Sequence, residues 1–212
     1  LDMRRHIARS RFDAISDGVF AIAMTIMVLE IKTPDLGSSS HEAIERYLSG
    51  TLPTLGTYAV SFMMLAAMWV SHGRLPATKQ HVSRKAAMAN LHFLFFVCLI
   101  PFATSLLNRA GFEVISVQVF EGTLIVAMLL LARLRYYVML HERTPSDHLR
   151  DHRKKVVAWA ATAFAGMVIS LIGLVWEPAI YVGYTMVLIS VGFFRERRRK
   201  TLDEEEAGPE EG

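Results

Sequence analysis

Apolar residues along the chain gather in long runs that are separated by short polar segments. A helix needs roughly 20 apolar residues to cross ~30 Å of hydrocarbon. The pattern therefore predicts an all-α integral membrane protein with six transmembrane helices per subunit. The six runs cover about 12–31, 52–75, 86–108, 114–134, 156–176 and 178–194.

The first run differs from a plain apolar span because its first turns carry Arg11, Asp13, Ser16 and Asp17. Ionisable groups at membrane depth usually face a protein partner or a water-filled path. On a helix with 3.6 residues per turn, both acids fall opposite an apolar stripe. The run thus predicts a pore-lining helix that is braced from behind. The stripe consists of Ile15, Gly18, Ile22, Thr25, Ile26 and Leu29.

Charge is distributed very unevenly between the loops. All but three of the 23 basic residues lie at the N-terminus, in loops 2–3 and 4–5, or at the C-terminus. The positive-inside rule makes that side cytoplasmic, with both termini inside. The basic residues therefore need no nucleic-acid partner to explain them.

Residues 1–200 are predicted to form one transmembrane domain, followed by a disordered acidic tail over 201–212. Between the first two spans, residues 41–48 predict a short amphipathic helix, and Pro53 is expected in the first turn of span two. Loop 4–5, about 136–154, is predicted to be a polar loop with a turn and a helix N-cap at 144–147. The span-one pattern occurs once, so a central pore would need copies from other subunits.

Polar side chains of the first three spans reach a similar depth near the cytoplasmic face. An acid, an imidazole and an amide can satisfy one another there, whereas unpaired they would be costly. We therefore predict a hydrogen-bonded network linking spans one to three, with an arginine at its cytoplasmic edge. In the alternative, the tryptophan anchors the interface and the histidine faces lipid headgroups. The predicted network comprises Arg11, Ser16, Asp17, Trp69, His72 and Asn90.

Other polar candidates give weaker signals. Asp13, Asp17 and His72 lack the tight spacing of a metal site, so no bound metal is predicted. Glu121 lies within span four, where an acid is by default a functional candidate. Gln118 or a neighbouring subunit could equally pair with it structurally. The single Cys98 excludes a disulfide framework within the chain.

The residues around the first span resemble the transmembrane protein 175 family of bacterial and lysosomal potassium channels. The family motif is R-x-x-x-F-S-D, and residues 11–17 here read R-F-D-A-I-S-D, with Ile15 in place of the phenylalanine. Trp69, His72, Asn90 and the segment 99–102 extend the likeness. The resemblance covers roughly the first half of the chain.

The resemblance implies a passive potassium channel without a cofactor, a homotetramer in a bacterial cell membrane. Span one would line a central pore in which apolar rings replace a carbonyl filter. Ile22 would form the narrowest ring, with Thr25 or Ile26 and then Leu29 outside it. Glu30 at the outer mouth would raise the local cation concentration.

Three other interpretations of the sequence compete with this one. A proton-conducting leak or proton-coupled transporter could use Asp17, His72 and Glu121 as a relay, although the paired repeats typical of transporters are absent from the sequence. An enzyme is not expected, because motifs such as H-E-x-x-H and G-x-S-x-G do not occur. The segment 181–185, Y-V-G-Y-T, looks like a TVGYG filter but lies inside the last apolar run, without the re-entrant loop that a filter requires.

Overall fold

The computed structural model describes residues 6–31, 40–76, 80–141 and 145–196. The predicted tail over 201–212 lies outside these residues. Within them, the chain forms six α-helices, two short 3₁₀ turns and one small β-ribbon. The α-helices are α1 (Arg9–Ile26), α2 (His41–Gly73), α3 (Arg84–Ala110), α4 (Val114–His141), α5 (Ser146–Leu171) and α6 (Pro178–Glu196).

Five segments are long and apolar enough to cross a membrane, and a sixth apolar segment over Pro178–Ile189 is shorter. The chain is thus a multi-pass membrane protein, as the hydrophobic pattern predicted. The five segments are Arg9–Leu29, His41–Gly73, Arg84–Ala110, Val114–His141 and His148–Leu174.

Helix α2 is longer than predicted. The expected short helix over 41–48 and the second span are one helix of 33 residues, about 50 Å long at 1.5 Å per residue. Pro53 therefore lies inside the helix, not in its first turn, and the prediction is wrong on this point. The helix begins at a Ser40 cap, whose Oγ accepts from a first-turn amide at 3.3 Å. Near the proline, Thr51 Oγ1 donates to the Tyr47 carbonyl at 2.8 Å, which adds a side-chain hydrogen bond where the proline nitrogen can donate none.

The predicted polar loop over 136–154 is largely helical. Helix α4 continues to His141, and α5 begins at Ser146. Pro145 occupies the N-cap position of α5 without a side-chain cap bond. Charged side chains do not prevent these helix extensions, because they lie where helices emerge from the apolar region and remain exposed to water.

A β-ribbon that the hydrophobic pattern did not predict joins the start of the chain to the segment before α3. Strand β1 (His6–Ala8) pairs antiparallel with β2 (His81–Ser83), with Ile7 opposite Val82. The backbone amide of Arg9 then donates to the Gln80 carbonyl at 2.9 Å. The ribbon fixes the N-terminal end of α1 beside that of α3.

Helices α3 and α4 form the central hairpin of the molecule. Their tight turn contains Gly111 at φ +67° and Phe112 at φ 60°, and the Gly111 amide caps α3 by donating to the Leu107 carbonyl at 3.1 Å. Helices α1 and α2 pack on α3, whereas α5 packs on α4 and α6. The core consequently runs through the hairpin, with Phe93, Phe120 and other large side chains completely buried.

The filter-like segment 181–185 is part of α6. A Cβ added to Gly183 would lie 2.4 Å from the carbonyl oxygen of Gly166 and 2.4 Å from the amide nitrogen of Ser170. The glycine is therefore needed for the close approach of α5 and α6, a typical use of small residues between membrane helices. This packing role explains the glycine without a carbonyl filter.

Candidate pore helix and its polar contacts

Helix α1 has one buried and one exposed face. Phe12, Ser16, Phe20 and Ala23 are buried against the neighbouring helices. The apolar stripe lies on the other face, and its Ile22 is 65% exposed on the single chain. The stripe therefore has no partner within the described residues of one subunit. Its members are Ile15, Gly18, Ile22, Thr25, Ile26 and Leu29, all of which are exposed.

The C-terminal end of this helix tightens into a 3₁₀ turn over Met27–Glu30. Residues three apart eclipse one another in such a turn, so Leu29, 72% exposed, continues the line of Ile26. The Thr25 hydroxyl donates back to its own helix, with Oγ1 2.8 Å from the carbonyl oxygen of Ala21. The exposed face is therefore largely apolar along its C-terminal half.

Three of the predicted network residues form a buried chain of hydrogen bonds across three helices. The Asn90 amide on α3 donates from Nδ2 to Ser16 Oγ on α1 at 2.9 Å. Its Oδ1 accepts from His72 Nε2 on α2 at 3.0 Å. Ser16 donates to the carbonyl of Phe12 at 2.9 Å. The donor directions run consistently from His72 to Phe12, which requires the proton on Nε2 of the imidazole.

The imidazole of His72 is also enclosed by aromatic rings. The ring stacks on Phe12 with centroids 5.5 Å apart and on Phe93 at 6.1 Å. Phe20 closes the same pocket at 6.3 Å. Sequence analysis missed this aromatic cage, although Phe12 and Phe20 lie on the α1 face that also carries Ser16.

Asp17 does not join the chain formed by Ser16, His72 and Asn90. It accepts from Trp69 Nε1 at 2.9 Å in a separate, partly exposed contact. The residues of the predicted network therefore form two separate groups: Ser16, His72 and Asn90 in one, and Asp17 and Trp69 in the other. The reason is the helical rotation of about 100° per residue, which directs Ser16 toward α3 and Asp17 along α2.

At the N-terminal end of α1, the arginine that makes side-chain contacts is Arg9, not the predicted Arg11. Arg9 pairs with Asp13 at 3.0 Å, and its Nη1 donates to the carbonyl of Pro76 at 2.8 Å. Arg11 is exposed and makes no hydrogen bond or ion pair within the described part of the chain. Two residues along a helix is about 200°, so the two arginines lie on opposite sides of α1.

The backbone of Glu30 lies in the 3₁₀ turn, but its side chain is outside the described part of the structure. Among the described residues, His, Cys, Asp and Glu side chains form no group of three or more that could hold a metal ion.

Comparison with known proteins places this chain among ion channels. Residues 11–101 match the model of the family described as endosomal/lysosomal potassium channel TMEM175. A curated potassium channel of Streptomyces collinus is 31% identical over 152 residues, which cover 72% of this chain and 72% of that protein. The chain belongs to the TMEM175 family. Its relatives in this family are channels, not enzymes.

Other TMEM175 relatives match over shorter segments. A potassium channel of Chryseobacterium sp. is 39% identical over 106 residues, and the match spans 50% of this chain but only 52% of that protein. The Homo sapiens relative, named as an endosomal/lysosomal proton channel, is 29% identical over 109 residues. The crystal structure of a lysosomal potassium-selective channel TMEM175 homologue from Chamaesiphon minutus superposes with a TM-score of 0.66 at 24% identity. It covers 88% of this chain and 97% of that one, so the two share a fold.

Glu121 lies beyond the segment that matches the TMEM175 family model. It is completely buried on α4, where its Oε2 lies 2.6 Å from Ser170 Oγ on α5. Gln118, which sequence analysis considered as a partner, contacts the same serine at 2.6 Å. The three proposed relay residues therefore occupy three separate clusters: Asp17 with Trp69, His72 with Asn90, and Glu121 with Ser170.

Proposed function

We propose that this protein is a passive, potassium-selective cation channel in which α1 from four identical subunits lines a central pore. The main support for the proposal is that α1 has an exposed apolar stripe on one face, while hydrogen bonds to neighbouring helices hold its buried face in place. A helix anchored so firmly on one side holds its other side in a fixed orientation. Fixed orientation is what a narrow pore requires.

A charged group on the stripe side favours water, rather than lipid, in front of it. Arg11 lies on the stripe side of α1 and is exposed, whereas the exposed pair of Asp17 and Trp69 lies farther round the helix. Charged groups at membrane depth are stable when they face a water-filled path. A ring of four subunits would place Arg11 at the cytoplasmic mouth of one pore, below the apolar layers of Ile22, Ile26 and Leu29.

The chemistry of such an apolar ring explains why K⁺ would be preferred over Na⁺. Isoleucine side chains offer an ion no ligands, so the constriction either empties of water and closes or passes an ion that has shed part of its hydration shell. K⁺ holds its water less tightly than Na⁺ does. Partial dehydration at Ile22 therefore penalises Na⁺ more and favours K⁺ by a modest factor. Glu30 would add to cation entry from outside by electrostatic attraction.

Proton conduction is the second candidate function, because relatives in Homo sapiens and Gallus gallus are named as proton channels. A relay through Asp17, His72 and Glu121 is not favoured by their positions, since each is bonded within its own cluster. We therefore place any proton conduction in the same pore, where it would occur alongside that of K⁺.

The test is the reversal potential of purified protein in a lipid bilayer, with KCl on one side and NaCl on the other. The wild-type protein is expected to show a potential set by K⁺. Ile22→Asn should move this potential toward zero, because an amide ring supplies polar ligands and keeps the constriction hydrated. A pH gradient at symmetric KCl measures the proton contribution separately.

Ile189→Asn is the matched control. Ile189 on α6 is 61% exposed, close to the 65% of Ile22. It lies 11 residues after the start of its helix at Pro178, and Ile22 lies 13 residues after the start of α1 at Arg9. It is assigned no place in the pore, so its reversal potential should equal that of the wild type. If both asparagine variants assemble normally and leave the K⁺/Na⁺ permeability ratio unchanged, Ile22 does not form the constriction. If the two shift the ratio equally, the α1 stripe has no special role.

A further inference from the structure

The α4–α5–α6 side of the molecule contains a buried acid that the proposed pore does not use. Glu121 is 0% exposed. Its Oε2 lies 2.6 Å from Ser170 Oγ, and its Oε1 has no hydrogen-bond partner among the described residues. An ionised carboxylate has about four lone-pair sites to satisfy, and here it would receive a single hydrogen bond.

The number of protons available for hydrogen bonds around Ser170 also favours a protonated Glu121. The serine hydroxyl has one proton, yet it faces two acceptors, Glu121 Oε2 at 2.6 Å and the Met167 carbonyl at 2.9 Å. Gln118 Nε2 donates to the serine oxygen at 2.6 Å and to the Met167 carbonyl at 3.0 Å. If Glu121 carries a proton, it donates to Ser170 Oγ, the serine donates to Met167, and all these contacts are satisfied at once.

Among the residues that the structure describes, no counter-charge compensates an anion at this position. No basic side chain of the described residues forms an ion pair with Glu121, and the runs 156–176 and 178–194 of α5 and α6 contain no Asp, Glu, Lys, Arg or His. On α6, Tyr184 is the titratable residue near the acid. On α3, the titratable His92 and Cys98 are exposed. A buried charge without a partner is strongly unfavourable.

The cluster is also sealed against water by the close packing of α6. The Gly183 backbone lies directly behind Ser170, since a Cβ added there would come within 2.4 Å of the Ser170 amide nitrogen. A hydrated ion therefore has no space behind the serine. Of the possible cationic ligands, only a proton fits at this position.

We propose that Glu121 is a proton-binding site that joins α4 to α5. In this packing the carboxyl group is neutral and donates to Ser170 Oγ. Loss of the proton leaves an anion with a single hydrogen bond and no ion-pair partner among the described residues of the apolar interior, so the α4–α5 contact weakens as pH rises. Proton binding at Glu121 thus stabilises the half of the molecule that lies away from α1.

Infrared spectroscopy of the complete protein in lipid tests this directly, because a protonated carboxylic acid has a carbonyl stretch that a carboxylate lacks. At neutral pH the wild type is expected to show this band and Glu121→Gln to lack it. Glu177→Gln, at an exposed acid on the α5–α6 connection, should retain it. In Ser170→Ala the band should shift in frequency, because the acceptor of its hydrogen bond is gone.

Thermal unfolding supplies an independent measurement. The melting temperature of the wild type should fall more steeply than that of Glu121→Gln as pH rises from about 4.5, where an exposed glutamate ionises, to mildly alkaline pH, since glutamine donates to Ser170 at every pH. Identical carboxylic-acid bands in wild type and Glu121→Gln, or no such band in wild type at neutral pH, would overturn the proposal. Should Glu121→Gln fail to assemble, the pH titration of the wild-type band decides: disappearance at alkaline pH supports the site, and its absence throughout refutes it.

Discussion

Asn90→Leu is the substitution that tests the contact between α1, α2 and α3 most directly. Asn90 is 1% exposed and bonds Ser16 at 2.9 Å and His72 at 3.0 Å. Leucine is close to asparagine in shape, so the change removes hydrogen bonds without opening a large cavity. It leaves the buried N–H of His72 without an acceptor.

The expected loss of stability follows from these contacts. Interhelical hydrogen bonds in membranes contribute about 0.6 kcal/mol on average and about 1.7 kcal/mol at most. An orphaned buried donor costs about 1–3 kcal/mol. With two bonds removed and one donor stranded, the free energy of unfolding should fall by about 1–3 kcal/mol.

The assay is reversible unfolding in mixed micelles, monitored by tryptophan fluorescence, combined in a double-mutant cycle with His72→Phe. Phenylalanine retains the stacking on Phe12 and Phe93 but has no N–H. The double variant Asn90→Leu/His72→Phe should therefore lose less stability than the sum of the two single losses, with a coupling of about 1 kcal/mol. Strict additivity, or an Asn90→Leu loss below about 0.5 kcal/mol, would refute the reasoning.

His92→Leu is the control on the same helix. His92 is exposed, and its Nδ1 contacts only the Met88 carbonyl of its own helix, at 2.7 Å. Its substitution should change stability by less than about 0.5 kcal/mol.

Two further predictions concern helix packing and the N-terminal end of α1. Gly183→Val should abolish folded protein, because its Cβ would overlap the Gly166 carbonyl at 2.4 Å, whereas Gly122→Ala should be tolerated, because its Cβ would meet nothing within 4 Å. The yield of monodisperse protein on size-exclusion chromatography measures both effects, and equal yields would contradict the packing argument. Arg9→Ala should lower the melting temperature more than Arg11→Ala, since only Arg9 donates to the loop carbonyl of Pro76. Equal shifts in a thermal scan would show that this contact does not stabilise the fold.

Much of the architecture could be predicted from apolar runs because backbone groups in hydrocarbon must be satisfied internally, which leaves a long apolar segment little choice but a helix. Helix ends were less predictable. The C-terminal end of α4 and the N-terminal end of α5 extend into charged sequence. Helix α2 begins at His41, well before Pro53. Side-chain capping and water decide where such helices end, and neither has a hydrophobic signal.

The candidate site, too, could be predicted only in part from the sequence. Chain direction and distance from the helix end placed Ser16, His72 and Asn90 at one depth, and depth is a property of sequence position alone. The choice of partner depends on rotation about each helix axis. That rotation assigns Asp17 to Trp69 and selects Arg9 in place of Arg11.

By itself, the sequence determined that the chain crosses a membrane several times and that its first helix combines an apolar stripe with acids. Only the tertiary structure decided which side chains meet. It closed an aromatic cage around His72, and it set Ser170 against Glu121 although 49 residues separate them in the chain. The physical reason is that hydrophobic burial is non-directional and can be read from composition, whereas a hydrogen bond requires two particular atoms within about 3 Å.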